Sequence, residues 1–320
     1  MKDEIKKRYD AFWERKNADR AVLYIATSNE WIKPPAKDLS EQWESPGYRL
    51  ECAEHALAEV KYYAEGFPRA RANMGPGSLA AMTGGGYVLK RDTVWFTESP
   101  ALRDAEFIDA DRIFLNKESP MYEITGNHLR TLAKSNGGRY VVDPSGLCNG
   151  LDVLSSLRGT QKLLADLYDY PEEVKKAVST IDGIWERVFA WQTDILESHG
   201  QEGTTSWLPV WCKGRFDAVQ CDFSAMISPD HFAEFVLPSL SRHIKFLDRS
   251  IYHWDGTRQI PHLDHLLSLP LLDGIQWTPE AGTPDTDDDR WFPLYERIQA
   301  AGKNLFLFSN AAGAVKILKH

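Results

Sequence analysis

Short apolar runs recur along the chain and alternate with longer amphipathic stretches. The runs lie at residues 21–27, 139–144, 204–211, 250–254, 274–278 and 304–309, with a weaker candidate at 69–74. Nearly continuous apolar runs of this kind are typical of strands that are covered on both faces, as in a parallel sheet. The pattern therefore predicts a parallel sheet with helices packed on it.

The stretches between these runs carry helix boundaries. One helix is predicted between Asp169, a possible cap, and Gly200, a stop. A second begins at Ser228 and should be kinked by Pro238. A third ends at Gly302. Strands that alternate with helices predict an α/β fold.

The length of 320 residues suits one (β/α)8 TIM barrel. The apolar runs give about seven strands, so the barrel is expected to lack the eighth strand or to end before it. We interpret residues 1–320 as a single barrel domain, with residues 28–68 as an N-terminal helical extension.

The run at 250–254 ends in a histidine that is followed by a carboxylate and a glycine. His253 and Asp255 are two positions apart, so on a strand their side chains share one face. In parallel α/β folds, sites form at the carboxyl ends of the strands. We therefore predict His253, Asp255, Asp222 and Glu280 as catalytic residues. A structural histidine followed by an ordinary Asp–Gly turn explains the same pattern.

Further residues at the predicted strand ends are expected to bind the substrate. Tryptophans there suit a flat-sided pocket, although packing in the core is the simpler interpretation for each of them. The predicted substrate-binding residues are Trp211, Trp254, Trp277, Cys221, Asn149 and Asn310. His253 and Glu280 are also candidate metal ligands, with zinc as the candidate ion.

The charge and composition of the chain disfavour several classes of partner and location. The formal net charge of −9 disfavours nucleic acid, whose phosphates attract basic proteins. No apolar run approaches the roughly 20 residues that a membrane helix needs, and the charged N-terminus does not resemble a signal peptide. The four cysteines match neither a CxxC pair nor a disulfide framework. We expect a cytoplasmic protein with free thiols.

Two segments resemble the uroporphyrinogen decarboxylase-like superfamily. They are "DPSGLCNGLDVLSSLRGTQKLLADLYDYPEEVKKAV" at 143–178 and "CDFSAMISPDHFAEFVLPSL" at 221–240, and "YHWDG" at 252–256 is similar to a later barrel strand. The resemblance implies a (β/α)8 barrel. True decarboxylases of this superfamily carry an arginine-rich motif after the first strand, whereas the corresponding stretch here, "ATSNEWIKPP", has no arginine.

The other branch of the superfamily contains methyltransferases that act with a corrinoid protein or a thiol. In those that bind zinc, a His-x-Cys pair, sometimes a glutamate, and a later cysteine hold the metal. By position, His253 matches the histidine, Asp255 replaces the first cysteine, and Glu280 lies near the glutamate. Because a carboxylate donates less electron density than a thiolate, we predict that zinc binds weakly or not at all.

The favoured hypothesis is a methyltransferase that uses a corrinoid protein or a thiol partner and a small-molecule substrate. The alternatives are a decarboxylase or lyase acting on a small organic acid or a tetrapyrrole, a glycosidase-like barrel, and a non-catalytic barrel that binds a small molecule. A homodimer is left open.

Overall fold

The computed structural model describes residues 1–28 and 33–320. Its helices are α1 (Asp3–Trp13), α2 (Leu39–Glu44), α3 (Pro46–Glu59), α4 (Ser78–Met82), α5 (Pro100–Arg103), α6 (Pro120–Asn136), α7 (Gly150–Arg158), α8 (Thr160–Asp169), α9 (Pro171–Ser198), α10 (Pro229–His231), α11 (Leu237–Phe246), α12 (Leu263–Leu267), α13 (Phe292–Ala300) and α14 (Ala311–Lys319). Its strands are β1 (Tyr24–Thr27), β2 (Lys61–Ala64), β3 (Arg69–Arg71), β4 (Gly86–Leu89), β5 (Val94–Thr97), β6 (Val141–Asp143), β7 (Phe216–Gln220), β8 (Arg249–Asp255), β9 (Gly274–Thr278) and β10 (Asn304–Leu307).

The centre of the fold is a parallel sheet with the strand order β10-β9-β8-β7. A separate parallel pair joins β3 to β6, and β4 and β5 form an antiparallel hairpin. The predicted mixed α/β architecture is therefore present. The strands of the described residues do not join into one closed barrel, and the (β/α)8 barrel stays a prediction.

Two of the predicted strands differ from the structure. Residues 204–211 form no strand apart from one isolated bridge, between Thr204 and Cys212. Pro209 lies within this run and has no N–H to donate to a ladder, and the Val210 amide instead donates to the Leu208 carbonyl at 2.8 Å. The strand that precedes Cys221 is β7, which the apolar pattern did not reveal. The run at 21–27 contains β1, which pairs antiparallel with β2 and stands outside the parallel sheet.

The helix boundaries follow the sequence in part. Ser228 caps α10 by accepting a hydrogen bond from the His231 amide at 3.2 Å. The predicted kink is a π-helical turn at Phe232–Val236, after which Pro238 lies in the first turn of α11, where no N–H is needed. The expected cap at Asp169 is wrong, because that residue is the last of α8 and α9 begins after Tyr170.

The predicted N-terminal extension at 28–68 is only partly helical. Helices α2 and α3 fill most of its middle, and β2 then returns to pair with β1. Residues 29–32, which fall within "ATSNEWIKPP", lie outside the described residues. The treatment of 28–68 as an extension of a single domain stays a prediction.

Helix α1 covers the amino ends of the parallel strands. Its Tyr9 and Trp13 are buried in a cluster with Val141, Phe216 and Ile251, which come from β6, β7 and β8. The indole N–H of Trp13 donates to the Trp211 carbonyl at 2.8 Å. This packing closes the amino end of the sheet and leaves the carboxyl end for a site. Within the described ranges, no helix combines the length and the apolar character needed to cross a membrane.

Candidate functional site

A cavity of about 310 Å³ lies where β3, β6, β7 and β8 end. The rings of Trp43 and Trp207 form part of its wall, and the turn between β4 and β5 contributes Asp92 and Thr93. Its chemically functional side chains are Arg71, Cys148, Asp217, Gln220, Asp222 and His253. The carboxyl ends of the parallel strands thus carry the largest share of the polar groups, as expected for an α/β fold.

Three of the predicted catalytic residues lie together. One ligand atom from each of Asp222, His253 and Asp255 lies within 4.8 Å of the others, in the only such group among the residues that were described. The Nε2 atom of His253 is 3.8 Å from an oxygen of Asp255. The i, i+2 spacing on β8 therefore places the two side chains side by side, with His253 on the cavity wall and Asp255 next to it. We call these three residues the triad.

The imidazole of His253 is held in one orientation. Its Nδ1 atom is hydrogen-bonded to Oε1 of Gln276, and Nε2 of Gln276 donates to the Thr278 hydroxyl at 2.5 Å. Since a carbonyl oxygen can only accept, Nδ1 carries a proton, and in the neutral imidazole Nε2 is then the nitrogen with the lone pair. The rings of Trp207 and His253 pack edge to face, with 4.8 Å between their centres. The lone pair of Nε2 is therefore directed at the two carboxylates.

The turn after β7 is held by Asp152 of α7. Its carboxylate accepts from the backbone amides of Asp222 at 3.0 Å and Phe223 at 2.8 Å. Burial, together with the neighbouring Asp222, raises the pKa of Asp152 to about 7. Desolvation by the surrounding protein also raises the pKa of Asp222. The nearby His253 lowers this pKa, and the charge of Asp255 raises it. The carboxylate of Asp222 is nevertheless accessible from the cavity.

Cys221, which was predicted to bind substrate, points away from this cavity. Its side chain is buried and makes a hydrogen bond with Asp152. Burial raises the pKa of its thiol well above the usual range. All four cysteines are free thiols, and Cys148 is the one that lines the cavity, with its thiol donating to the Pro76 carbonyl at 3.0 Å.

Asn149 fixes the end of β7. Its Oδ1 atom accepts from the Gln220 amide at 3.0 Å, and its Nδ2 atom pairs with Nδ1 of His243. The other nitrogen of that buried imidazole lies 3.1 Å from Asp182. Asn149 therefore lines the cavity while also joining the sheet to a buried polar network between α9 and α11; its contact with a substrate stays a prediction.

Three charged residues of the cavity were missed by the sequence analysis: Asp92 of the turn after β4, Arg71 and Asp217. Arg71 ends β3, and its Nε atom is 3.7 Å from Asp143. That carboxylate is already paired with both Nε and Nη2 of Arg69, so the half-exposed Arg71 keeps donors free for the cavity. Burial raises the pKa of Asp217, which lies in β7, to about 7. The arginines in "RARANM" were the signal in the sequence that could have revealed Arg71.

The three tryptophans predicted to wall the pocket do not line it, and this expectation is corrected here. Trp254 and Trp277 are fully buried, with ring centres 4.5 Å apart. Because side chains alternate along a strand, Trp254 faces the helices while His253 faces the cavity. Trp211 is buried against α1, and its indole N–H donates to the Glu202 carbonyl at 3.2 Å.

Asn310 and Glu280 also lie apart from the triad. The side chain of Asn310 is exposed and caps α14 by accepting from the Gly313 amide at 2.9 Å, so the expected substrate contact is replaced by a helix cap. Glu280 is exposed and lies beside Gly256, outside the group of ligand atoms around His253. The carboxylates that accompany the histidine are those of Asp222 and Asp255.

Comparison with known proteins bears on the fold. No family model matches the chain, and a search of curated proteins finds no match. Among solved structures, the chain is similar to a methyltransferase from Methanosarcina mazei, with a TM-score of 0.55 and 12% identity over 98% of this chain and 97% of that one. At this level of identity the likeness shows that the two chains share an α/β fold over their whole lengths.

Proposed function

We propose that the protein is an enzyme of the uroporphyrinogen decarboxylase-like barrel type, a methyltransferase that moves a methyl group between a small molecule and a corrinoid protein or thiol. The observation that carries the proposal is the placement of His253, with a free Nε2, in a cavity at the carboxyl ends of parallel strands. The likeness in fold to a methyltransferase supports it.

The cavity favours a small anionic substrate. A volume of about 310 Å³ is at the lower end of the range for ligand pockets, roughly 300–1,000 Å³. The guanidinium of Arg71 can form paired hydrogen bonds with a carboxylate, sulfonate or phosphate. Trp207 would then pack against the carbon chain of the ligand. A tetrapyrrole with several carboxylates fits this space poorly.

His253 is the proposed base. An acceptor such as a thiol attacks a methyl group only after it loses its proton, and Nε2 of His253 is the nitrogen that can take it. The carboxylate of Asp255, at 3.8 Å, stabilises the resulting imidazolium. The acceptor sulfur then forms the new bond to the methyl carbon, and the bond between that carbon and the donor breaks with its electron pair left on the donor. Asp222, which lines the cavity, remains a candidate acid or base group.

A corrinoid does not fit within the cavity, because its macrocycle and side chains far exceed about 310 Å³. It would have to be held by a separate protein and presented at the cavity mouth. The chemistry that a corrinoid supplies when bound is reversible carriage of a methyl group. The residues of this chain would bind the small molecule, orient it through Arg71 and accept its proton at His253.

The test uses free methylcobalamin as methyl donor with short thiols that carry or lack an anionic tail. We expect a thioether product, detected by mass spectrometry, for the anionic thiols. His253→Ala should lower kcat by roughly 10²–10⁴, whereas Arg71→Met should raise KM more than it lowers kcat. Asp264→Asn, which changes an exposed carboxylate paired with Arg297, is the matched control. Absence of thioether with every thiol would refute the proposal.

A decarboxylase or lyase acting on a small organic acid is the second candidate. The observation that favours it is Asp217, whose raised pKa of about 7 keeps a proton available beside a cavity that also contains Arg71. Arg71 would bind the substrate carboxylate, and the proton of Asp217 would pass to the carbanion left after loss of carbon dioxide. This reaction would be favoured if the unaltered chain releases carbon dioxide from a small organic acid and Asp217→Asn does not. Tight binding of an anion without any turnover would indicate a non-catalytic barrel.

A further inference from the structure

A thiol-activating zinc does not fit the residues around His253. Such sites depend on soft thiolate ligands. In the described part of the chain, no cysteine belongs to the group of ligand atoms around His253. The thiol of Cys148 donates a hydrogen bond to the Pro76 carbonyl, and the thiol of Cys221 is buried beside Asp152. The donors that are present at His253 are oxygens.

We propose that the triad of Asp222, His253 and Asp255 is a binding site for a divalent cation that prefers oxygen and nitrogen ligands, of the Mn²⁺ type. Each residue offers one ligand atom, and the three atoms lie within 4.8 Å of one another. A cation between them needs only small movements of the side chains. The two carboxylates are the more accessible members, with Asp255 43% exposed, so they can adjust.

The orientation of His253 is a second, independent observation. Histidines that bind metals almost always donate their other ring N–H to a neighbouring group, which fixes the tautomer. Gln276 plays this part by accepting from Nδ1, and it is held in turn by the Thr278 hydroxyl. In the neutral imidazole this arrangement leaves the Nε2 lone pair on the side of Asp255, 3.8 Å away.

The charges of the triad match a divalent ion. Two ionised carboxylates and a neutral imidazole supply two negative charges. Carboxylate ligands suit Mn²⁺ and similar ions, and the imidazole favours a transition metal over Mg²⁺ or Ca²⁺. Three protein ligands leave positions for water or for an oxygen of a ligand in the adjoining cavity. The inference concerns cation binding alone, and its test uses no turnover. A cation on Nε2 would occupy the lone pair that the proposed reaction uses as its base, so thioether formation is measured on protein freed of the cation.

The experiment is a titration of the purified full-length chain with Mn²⁺, followed by the loss of the free-ion electron paramagnetic resonance signal. We expect one Mn²⁺ per chain. His253→Ala and Asp255→Asn should each weaken binding by at least tenfold, and Gln276→Leu, which removes the partner of Nδ1, by roughly 10–100-fold. Asp264→Asn, on the surface and paired with Arg297, should bind as the unaltered chain does.

Circular dichroism would establish that each variant is folded, and Asp222→Asn, with its accessible side chain, provides a substitution that the fold tolerates. Failure to bind Mn²⁺, or equal binding by the triad variants, would overturn the site. So would a stoichiometric zinc that survives chelator dialysis and disappears in Cys148→Ser or Cys221→Ser. Cation binding without thioether formation would refute the proposed methyl transfer but not the cation site. Thioether formation without cation binding would refute the cation site but not the methyl transfer.

Discussion

Replacement of Asp217 by asparagine should make the protein more stable above neutral pH. Burial raises the pKa of this carboxyl group to about 7, against about 3.9 in an unfolded chain. The folded protein therefore holds this proton more tightly than the unfolded chain does. The contribution of Asp217 to the free energy of unfolding therefore falls as the pH rises from about 4 to about 7, and it stays at the lower value above that range. Asparagine cannot ionise, so the variant avoids this loss.

The size of the effect follows from the two pKa values. A difference of about three pKa units corresponds to roughly 4 kcal/mol. Asp217 lines the cavity and keeps some contact with water, which screens part of this energy, so we expect about 2 kcal/mol in practice. The Ala218 amide donates to Oδ1 of Asp217 at 2.9 Å, and the asparagine side-chain oxygen can accept the same bond.

The assay is urea unfolding of Asp217→Asn and of the unaltered chain at about pH 4.5, 6 and 8. The two proteins should differ least at the lowest pH, and the variant should gain about 2 kcal/mol over the unaltered chain by the highest. Asp264→Asn controls for the loss of one negative charge at the surface. A stability difference for Asp217→Asn that is constant across the pH range would refute the argument that burial governs this group.

Three further predictions follow from the burial and bonding of single residues. Trp254→Ala should destabilise the fold by roughly 3–5 kcal/mol in urea unfolding, whereas Trp207→Ala, on the cavity wall, should cost less and should weaken anion binding measured by calorimetry. Asn149→Ala leaves the buried His243 without its Nδ1 partner and should cost roughly 1–3 kcal/mol in the same unfolding assay. No cysteine belongs to the ligand group around His253 in the described residues, so any zinc that the triad takes up should exchange readily. Elemental analysis after chelator dialysis should find well under one zinc per chain, and a retained stoichiometric zinc would contradict this.

The hydrophobic pattern predicted most of the parallel strands, gave β3 only as a weaker candidate and missed β7. Strand β9 was predicted with its observed bounds because nearly every residue in it is buried. In β7, Asp217 and Gln220 interrupt the apolar run, and both line the cavity. In β3, arginines flank the single buried alanine, and their charge is balanced by Asp143, a residue some 70 positions away that no local pattern connects to them.

The alternation of side chains explains which site residues could be inferred from the sequence. On β8, Ile251 packs under the cavity and His253 and Asp255 follow on the same face, whereas Trp254 packs with the helices. The alternation that places His253 and Asp255 on one face therefore places Trp254 on the other, so the prediction that Trp254 lines the pocket conflicted with the prediction for His253. The parallel register places Gln276 opposite His253. Register depends on the partner strand, and for this reason the residue that fixes the imidazole could be recognised only once the sheet was known.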